Sequence, residues 1–155
     1  MSLSTGYLTS KQKAIWKLKN TGLQEASIAR ELRVTRQTVH KALNIANSKV
    51  YTSLEETAKI NKIRIEKVDS SKGILVGYST HFRTKALITF SAKNGVQIWY
   101  KHQGDCKNCE HLRTCRESLL AEARDRNVPV PESPSTLLPS EFAKTLFTKL
   151  TGAEG

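Results

Sequence analysis

Along the first third of the chain, apolar positions recur every three or four residues with polar and charged ones between them, the pattern of amphipathic helices. Thr9 is placed to cap a first helix whose apolar side is Ile15, Trp16 and Leu18, and Asn20-Thr21-Gly22 stops it. A second, short helix is predicted from about Gln24 to Leu32, with a turn at Arg33-Val34. Thr35 is placed as the N-cap of a third helix. From Arg36 onward no Pro or Gly appears before Gly73, so this helix is predicted to continue to about Ile60. Val39, Leu43, Ala46, Val50, Leu54 and Ala58 form an apolar stripe along it.

The period then shortens. Lys62 to Asp69 alternates only roughly, Ser70-Ser71-Lys72-Gly73 reads as a turn, and Ile74 to Tyr78 reads as the returning strand. A second hairpin is clearer: Ala86 to Phe90 and Val96 to Tyr100 flank Lys93-Asn94-Gly95, and Asn-Gly is the strongest short hairpin signal. After a cysteine-bearing segment, a helix is predicted over about Thr114 to Arg126, with Leu119, Leu120 and Ala123 on one side. Pro129, Pro131, Pro134 and Pro139 mark an extended connector, and Phe142, Leu146 and Leu150 form the apolar side of a last helix. The fold class is α+β: an N-terminal tri- or tetrahelical helix-turn-helix with a long final helix, then a small antiparallel sheet of two hairpins, a cysteine knuckle and C-terminal helices. Two units are expected, a helical one over residues 4–60 and a small α+β one over 61–152.

Glu25 to Ala42 fits a helix-turn-helix position by position. Two helices crossing steeply need a small side chain where they touch, and Ala29 supplies it. Ile28, Leu32 and Val34 pack around the turn, and Val39 and Ala42 form the inward side of the second helix. Arg33 stands where glycine is common, which requires a non-glycine residue with positive φ. Subtracting the inward positions leaves Arg36, Gln37, Thr38, His40 and Lys41 facing outward near a helix N-terminus, where a recognition helix meets base edges. Arg and Lys bond guanine, Gln reads adenine, and Thr meets a thymine methyl or a phosphate. Thr35 at the helix start is placed to hold a phosphate together with backbone N–H groups.

Charge agrees with a polyanionic partner. The 155 residues carry a formal net charge of +11. Residues 1–64 hold 12 Lys+Arg against 4 Asp+Glu, a net +8, and the remainder holds 13 against 10, a net +3. Double-stranded DNA is therefore the expected partner, and transcriptional regulation the expected function. Helix-turn-helix proteins often bind as dimers, so a homodimer is expected. The stripe from Leu43 through Ala58 is either its seam or the surface that packs on the protein's own sheet.

Leu8-Thr9-Ser10-Lys11-Gln12, Gly22-Leu23, Ser27 to Leu32 and Thr35 to Val39 resemble the tetrahelical helix-turn-helix of LuxR-type regulators and sigma-factor region four. Archaeal Tfx-like DNA-binding proteins are similar over about Leu8 to Ile60, and the resemblance implies a transcription regulator whose recognition helix continues into a long helix. Gln24 and Glu25 stand where Thr-Gln is usual in that superfamily.

Cys106, Cys109 and Cys115 are the chain's three cysteines, and their Cys-x2-Cys-x5-Cys spacing suits a metal rather than a disulfide framework. Tetrahedral zinc needs a fourth ligand: His102 is favoured because it ends the second hairpin, with His111 the alternative and Asp105 behind both. The spacing also resembles the three-cysteine segment of certain iron–sulfur proteins, some CRISPR-associated exonucleases among them, and a short knuckle in some transposases. An iron–sulfur cluster is thus the alternative cofactor, one that usually takes four cysteines.

No acidic triad, nucleophile elbow or phosphate-binding glycine loop is present, so an enzyme is not expected. The rival readings are a transposase- or nuclease-related DNA-processing protein and a protein-interaction adaptor that does not bind DNA. No apolar run approaches the roughly 20 residues of a membrane span, and no basic-then-apolar leader opens the chain, so a cytoplasmic protein is expected. His81, Trp99 and Tyr100 are candidates either for a ligand pocket or, more simply, for a buried histidine and two core aromatics.

Overall fold

The computed structural model describes residues 8–101, 105–133, 136 and 138–152, and it is α+β. Its chain divides into two compact units, residues 1–101 and 102–155. The first holds helices α1 (Ser10–Asn20), α2 (Glu25–Leu32) and α3 (Arg36–Ile60), followed by strands β1 (Ile63–Asp69), β2 (Ile74–Ser79), β3 (Thr84–Ser91) and β4 (Gly95–Tyr100). The second holds a 3₁₀ turn (Cys106–Asn108) and helices α4 (Leu112–Asp125) and α5 (Pro139–Thr151). None of the helices among the described residues is long and apolar enough to cross a membrane.

Local chemistry sets the helix ends. Thr9 and Gln12 form a reciprocal capping box, each side chain bonded to the other's backbone N–H. Thr35 caps α3 by accepting from the Thr38 amide at 3.1 Å. With no Gly or Pro to interrupt it, α3 runs unbroken for 25 residues, on the order of 37 Å at 1.5 Å per residue.

That helix is the spine of the first unit. At its N-terminal end, Val39 and Leu43 join Ile15, Ile28 and Ala29 in a small core, with Leu18, Leu23, Leu32, Val34 and Ala42 packed against it. The next four positions of the stripe, Ala46, Val50, Leu54 and Ala58, join a second core with Leu8, Trp16, Ile63, Leu75, Ala86, Ile88 and Phe90. The stripe is 0–5% exposed along its length: Val39 and Leu43 are covered by α1 and α2, and Ala46, Val50, Leu54 and Ala58 pack on the protein's own sheet. It is therefore not available as a dimer seam. For the same reason α3 and the strands after it share one core across residue 60, and the sheet belongs to the helix-turn-helix unit.

The two expected hairpins are one antiparallel meander, β1-β2-β3-β4. A bulge between Ile65 and Lys67 explains why alternation along β1 was only rough. Glycine is required at Gly73 and Gly77. At Gly73, φ is +67° and an added Cβ would lie 2.5 Å from the Phe90 carbonyl oxygen and 3.0 Å from the Trp16 ring. At Gly77 a Cβ would lie 2.5 Å from the Arg64 carbonyl oxygen, where β1 crosses closely. Trp16 itself meets Phe90 edge-on at 5.2 Å, which locks α1 to the sheet.

Two smaller expectations change. His81 is exposed rather than buried, lying edge-on to Phe82 in the β2–β3 turn. Trp99 and Tyr100, as neighbours on one strand, point to opposite faces, and both are half-buried. In the second unit α4 packs on α5, with Leu119, Ala123, Phe142 and Leu146 buried.

Candidate nucleic-acid interface

The connection between α2 and α3 decides where the side chains at the start of α3 go. Arg33 adopts φ 54°, ψ 44°, the left-handed conformation its place in the turn required. The Val34 amide then reaches back to the Ala29 carbonyl at 3.0 Å and the Arg33 amide to that of Arg30 at 3.3 Å, closing the helix end. Val34 turns inward to the small core beside Ala29, and Thr35 opens α3 at once. The sharp turn fixes the crossing of the two helices with one small residue at the contact.

From this start, Arg36, Gln37, His40 and Lys41 are all exposed on the first turns of α3. Four of the six candidate residues thus form one outward surface. The other two serve the cap. Thr38 is half-buried, and its hydroxyl lies 2.8 Å from that of Thr35, so these hydroxyls bond to one another beside the helix start. Their first role is to hold the N-terminus of α3 in shape.

Sequence reasoning missed two members of this surface. Asn44 is exposed one turn beyond His40 and continues the line Arg36, His40, Asn44; the four-residue spacing was there to be read. Glu25, the first residue of α2, reaches across the helix crossing to α3. Its Oε1 lies 3.2 Å from His40 Nδ1 and its Oε2 lies 3.9 Å from Arg36 Nε. Glu25, Arg36, Gln37 and His40 line a shallow open recess of about 290 Å³. Other cations of the same unit are exposed: Arg30 and Arg33 at the end of α2, and Lys11, Lys13, Lys17 and Lys19 on α1. Lys49 Nζ donates to Gln12 Oε1 at 2.9 Å and ties α1 to α3.

In the second unit the cysteines lie on a segment with little apolar support, residues 105–111 being exposed apart from half-exposed Cys106. Asp105 caps the 3₁₀ turn through the Lys107 amide, the Cys109 amide returns to the Cys106 carbonyl, and the Cys115 amide bonds to the His111 carbonyl in the first turn of α4. Burial raises the Cys115 thiol above its ordinary pKa, and the nearby Cys109 and Cys106 thiols raise it further. Among the described residues, no three His, Cys, Asp or Glu side chains stand grouped as a ready ligand set. His111 is largely exposed, with Nε2 3.4 Å from Glu110 Oε1, and His102, the favoured fourth ligand, lies outside the described residues.

No protein-family model matches the chain, nor does any curated protein or solved structure.

Proposed function

We propose that the first unit binds double-stranded DNA in a sequence-specific manner and that the protein is a transcription regulator of the helix-turn-helix kind. One observation carries the reading: a helix pair joined by a tight left-handed turn presents Arg36, Gln37, His40 and Lys41 together at the start of a long helix. These are side chains that bond base edges in a major groove. The unit's exposed lysines and arginines supply the sequence-independent attraction to phosphates. The test is selection of duplexes from a random pool, followed by titration of the recovered site with the Arg36→Ala and Lys41→Ala variants. Each lost base contact is expected to cost about 1–3 kcal/mol of specific binding. Failure to retain any duplex at low salt would favour a protein-interaction adaptor, and metal-dependent nicking of supercoiled DNA would favour a DNA-processing protein. A homodimer is part of the proposal because one recognition helix selects too little sequence alone. Its interface lies off the α3 stripe, and sedimentation with and without the selected duplex tests it.

The second unit takes a supporting role in the same proposal, that of a metal-held knuckle. The Cys-x2-Cys-x5-Cys spacing, on a largely exposed segment, supports a cation binding Cys106, Cys109 and Cys115 with His102 or His111 as fourth ligand. Zinc suits three thiolates and an imidazole better than an iron–sulfur cluster, which usually takes four cysteines. Metal analysis and a visible spectrum of protein purified without oxygen decide the matter. One equivalent of zinc in a colourless sample, lost in Cys109→Ser, is the expected result. Brown protein containing iron and sulfide would replace zinc with a cluster, and protein holding neither metal would end the knuckle.

A further inference from the structure

Glu25 is out of place on a surface built to meet phosphates. A carboxylate there repels DNA, yet it lies between two of the groups best suited to reading bases. Glu25 is only 23% exposed, against 76% for Arg36 and 62% for His40. It is contributed by α2, so it does not move with the recognition helix's own side chains, and Gln37 completes the recess around it.

The geometry constrains both partners. A carboxylate only accepts, so the His40 Nδ1 it faces at 3.2 Å carries the hydrogen. In the neutral ring that leaves Nε2 with a lone pair directed away from Glu25, able to accept from the exocyclic amino group of adenine or cytosine. The Arg36 Nε approaches the other carboxylate oxygen at 3.9 Å. Attraction through Nε restrains a long, rotamer-rich stem and leaves the two terminal nitrogens for the O6/N7 edge of guanine. Arg36 and His40 are one helical turn apart, roughly 6 Å along the axis, so their contacts fall within roughly two base pairs at 3.4 Å each.

We propose that Glu25 is the positioning residue that sets the base preference of this surface, holding Arg36 toward guanine and fixing His40 as an acceptor for a neighbouring amino-bearing base. The inference rests on the DNA-binding reading above and names the part of it that chooses sequence. A structural alternative exists, because an acidic residue at the first position of a helix also stabilises that helix through its dipole. Base discrimination separates the two roles, since loss of helix stability alone does not alter which base is preferred.

The experiment measures binding of the wild-type protein, Glu25→Ala and Glu25→Gln to the selected duplex, to every single-base variant of it, and to a random duplex, with thermal melts confirming that each variant folds. In Glu25→Ala, discrimination at one or two adjacent base pairs is expected to fall by about tenfold, the scale of one good base contact. Binding to random duplex is expected to hold or rise, because a negative charge has gone. Glu25→Gln keeps an acceptor for His40 Nδ1 but loses the charge that holds Arg36, so it recovers part of the preference assigned to His40 and none of that assigned to Arg36. A folded Glu25→Ala whose discrimination profile is unchanged, or whose affinity falls equally for all duplexes, overturns the role of Glu25 and leaves DNA binding intact. A wild-type protein that selects no sequence overturns both.

Discussion

Arg33 offers a test in which stability and function should move in opposite directions. It holds φ 54° at the turn of the helix-turn-helix, a conformation that costs an L-residue roughly 1–2 kcal/mol. Arg33→Gly relieves that strain but frees the unfolded backbone, which returns about 0.5–1 kcal/mol. The difference leaves the variant more stable by up to about 1.5 kcal/mol, or by up to roughly 12 °C in Tm for a unit of this size. The exposed Arg33 side chain is lost at the same time, from a position next to the start of α3. If it meets a phosphate, the slope of log K against log salt becomes shallower by about 0.9. Urea unfolding gives the first quantity, and anisotropy of a labelled duplex over about 50–200 mM salt gives the second. Left-handed conformation alone does not mark a DNA contact, since Lys62, Arg83 and Asn127 share it. Arg83→Gly, in the β2–β3 turn, is therefore the control: it should gain similar stability and leave the salt slope as it was. An Arg33→Gly protein that is less stable refutes the strain argument, and an unchanged slope refutes the phosphate contact.

Three other perturbations test the fold and the electrostatics. Leu54→Ala removes a fully buried side chain from the core between α3 and the sheet. It should cost about 2–5 kcal/mol with a Tm loss independent of protein concentration; a loss that vanishes on dilution would return the stripe to a dimer seam. Gly73→Ala places a Cβ 2.5 Å from the Phe90 carbonyl oxygen at φ +67° and should destabilise by at least about 1–3 kcal/mol, whereas Gly95→Ala, at φ +66° with nothing within 4 Å, should cost less. At Asp69, burial acts to raise the pKa, but the Ser71 hydroxyl at 2.6 Å, the Lys72 amide and the Lys72 charge outweigh it, so the carboxyl lies below its ordinary 3.8. A folded-state pKa that is lowered gives stability present above 3.8 and lost as pH falls through the folded value. The stability gap between wild type and Asp69→Asn should therefore close below about pH 4, and a gap that persists in acid would contradict the sign.

What could be read from the sequence was mostly local. Thr9 and Thr35 as caps, positive φ at Arg33 and the unbroken run to Ile60 follow from side-chain chemistry within a few residues, and each is present in the structure. Gly95 opens β4 at φ 66°, directly after the turn, where the Asn-Gly signal leads one to expect a glycine with positive φ. What was not legible depends on partners distant in the chain. A stripe of Ala, Val and Leu looks the same whether it meets a sheet or a second copy, so the shared core of α3 with β1–β3 could not be read from its period. Glu25 is 11 and 15 positions from Arg36 and His40, and only the helix crossing brings the three together. Gly77 gave no sign of its role, because the Arg64 backbone that crowds it belongs to a neighbouring strand. The bulge in β1 was visible only as imperfect alternation.

DNA recognition by the start of α3 is most directly tested by titrating the selected duplex and a scrambled one with wild-type protein and Arg36→Ala at two salt concentrations. The expected result is tight, salt-sensitive binding with preference for the selected site, and a preference reduced by about 1–3 kcal/mol in Arg36→Ala while binding to the scrambled duplex changes far less. Equal affinity of wild type for both duplexes, or an Arg36→Ala variant with its preference intact, would contradict it.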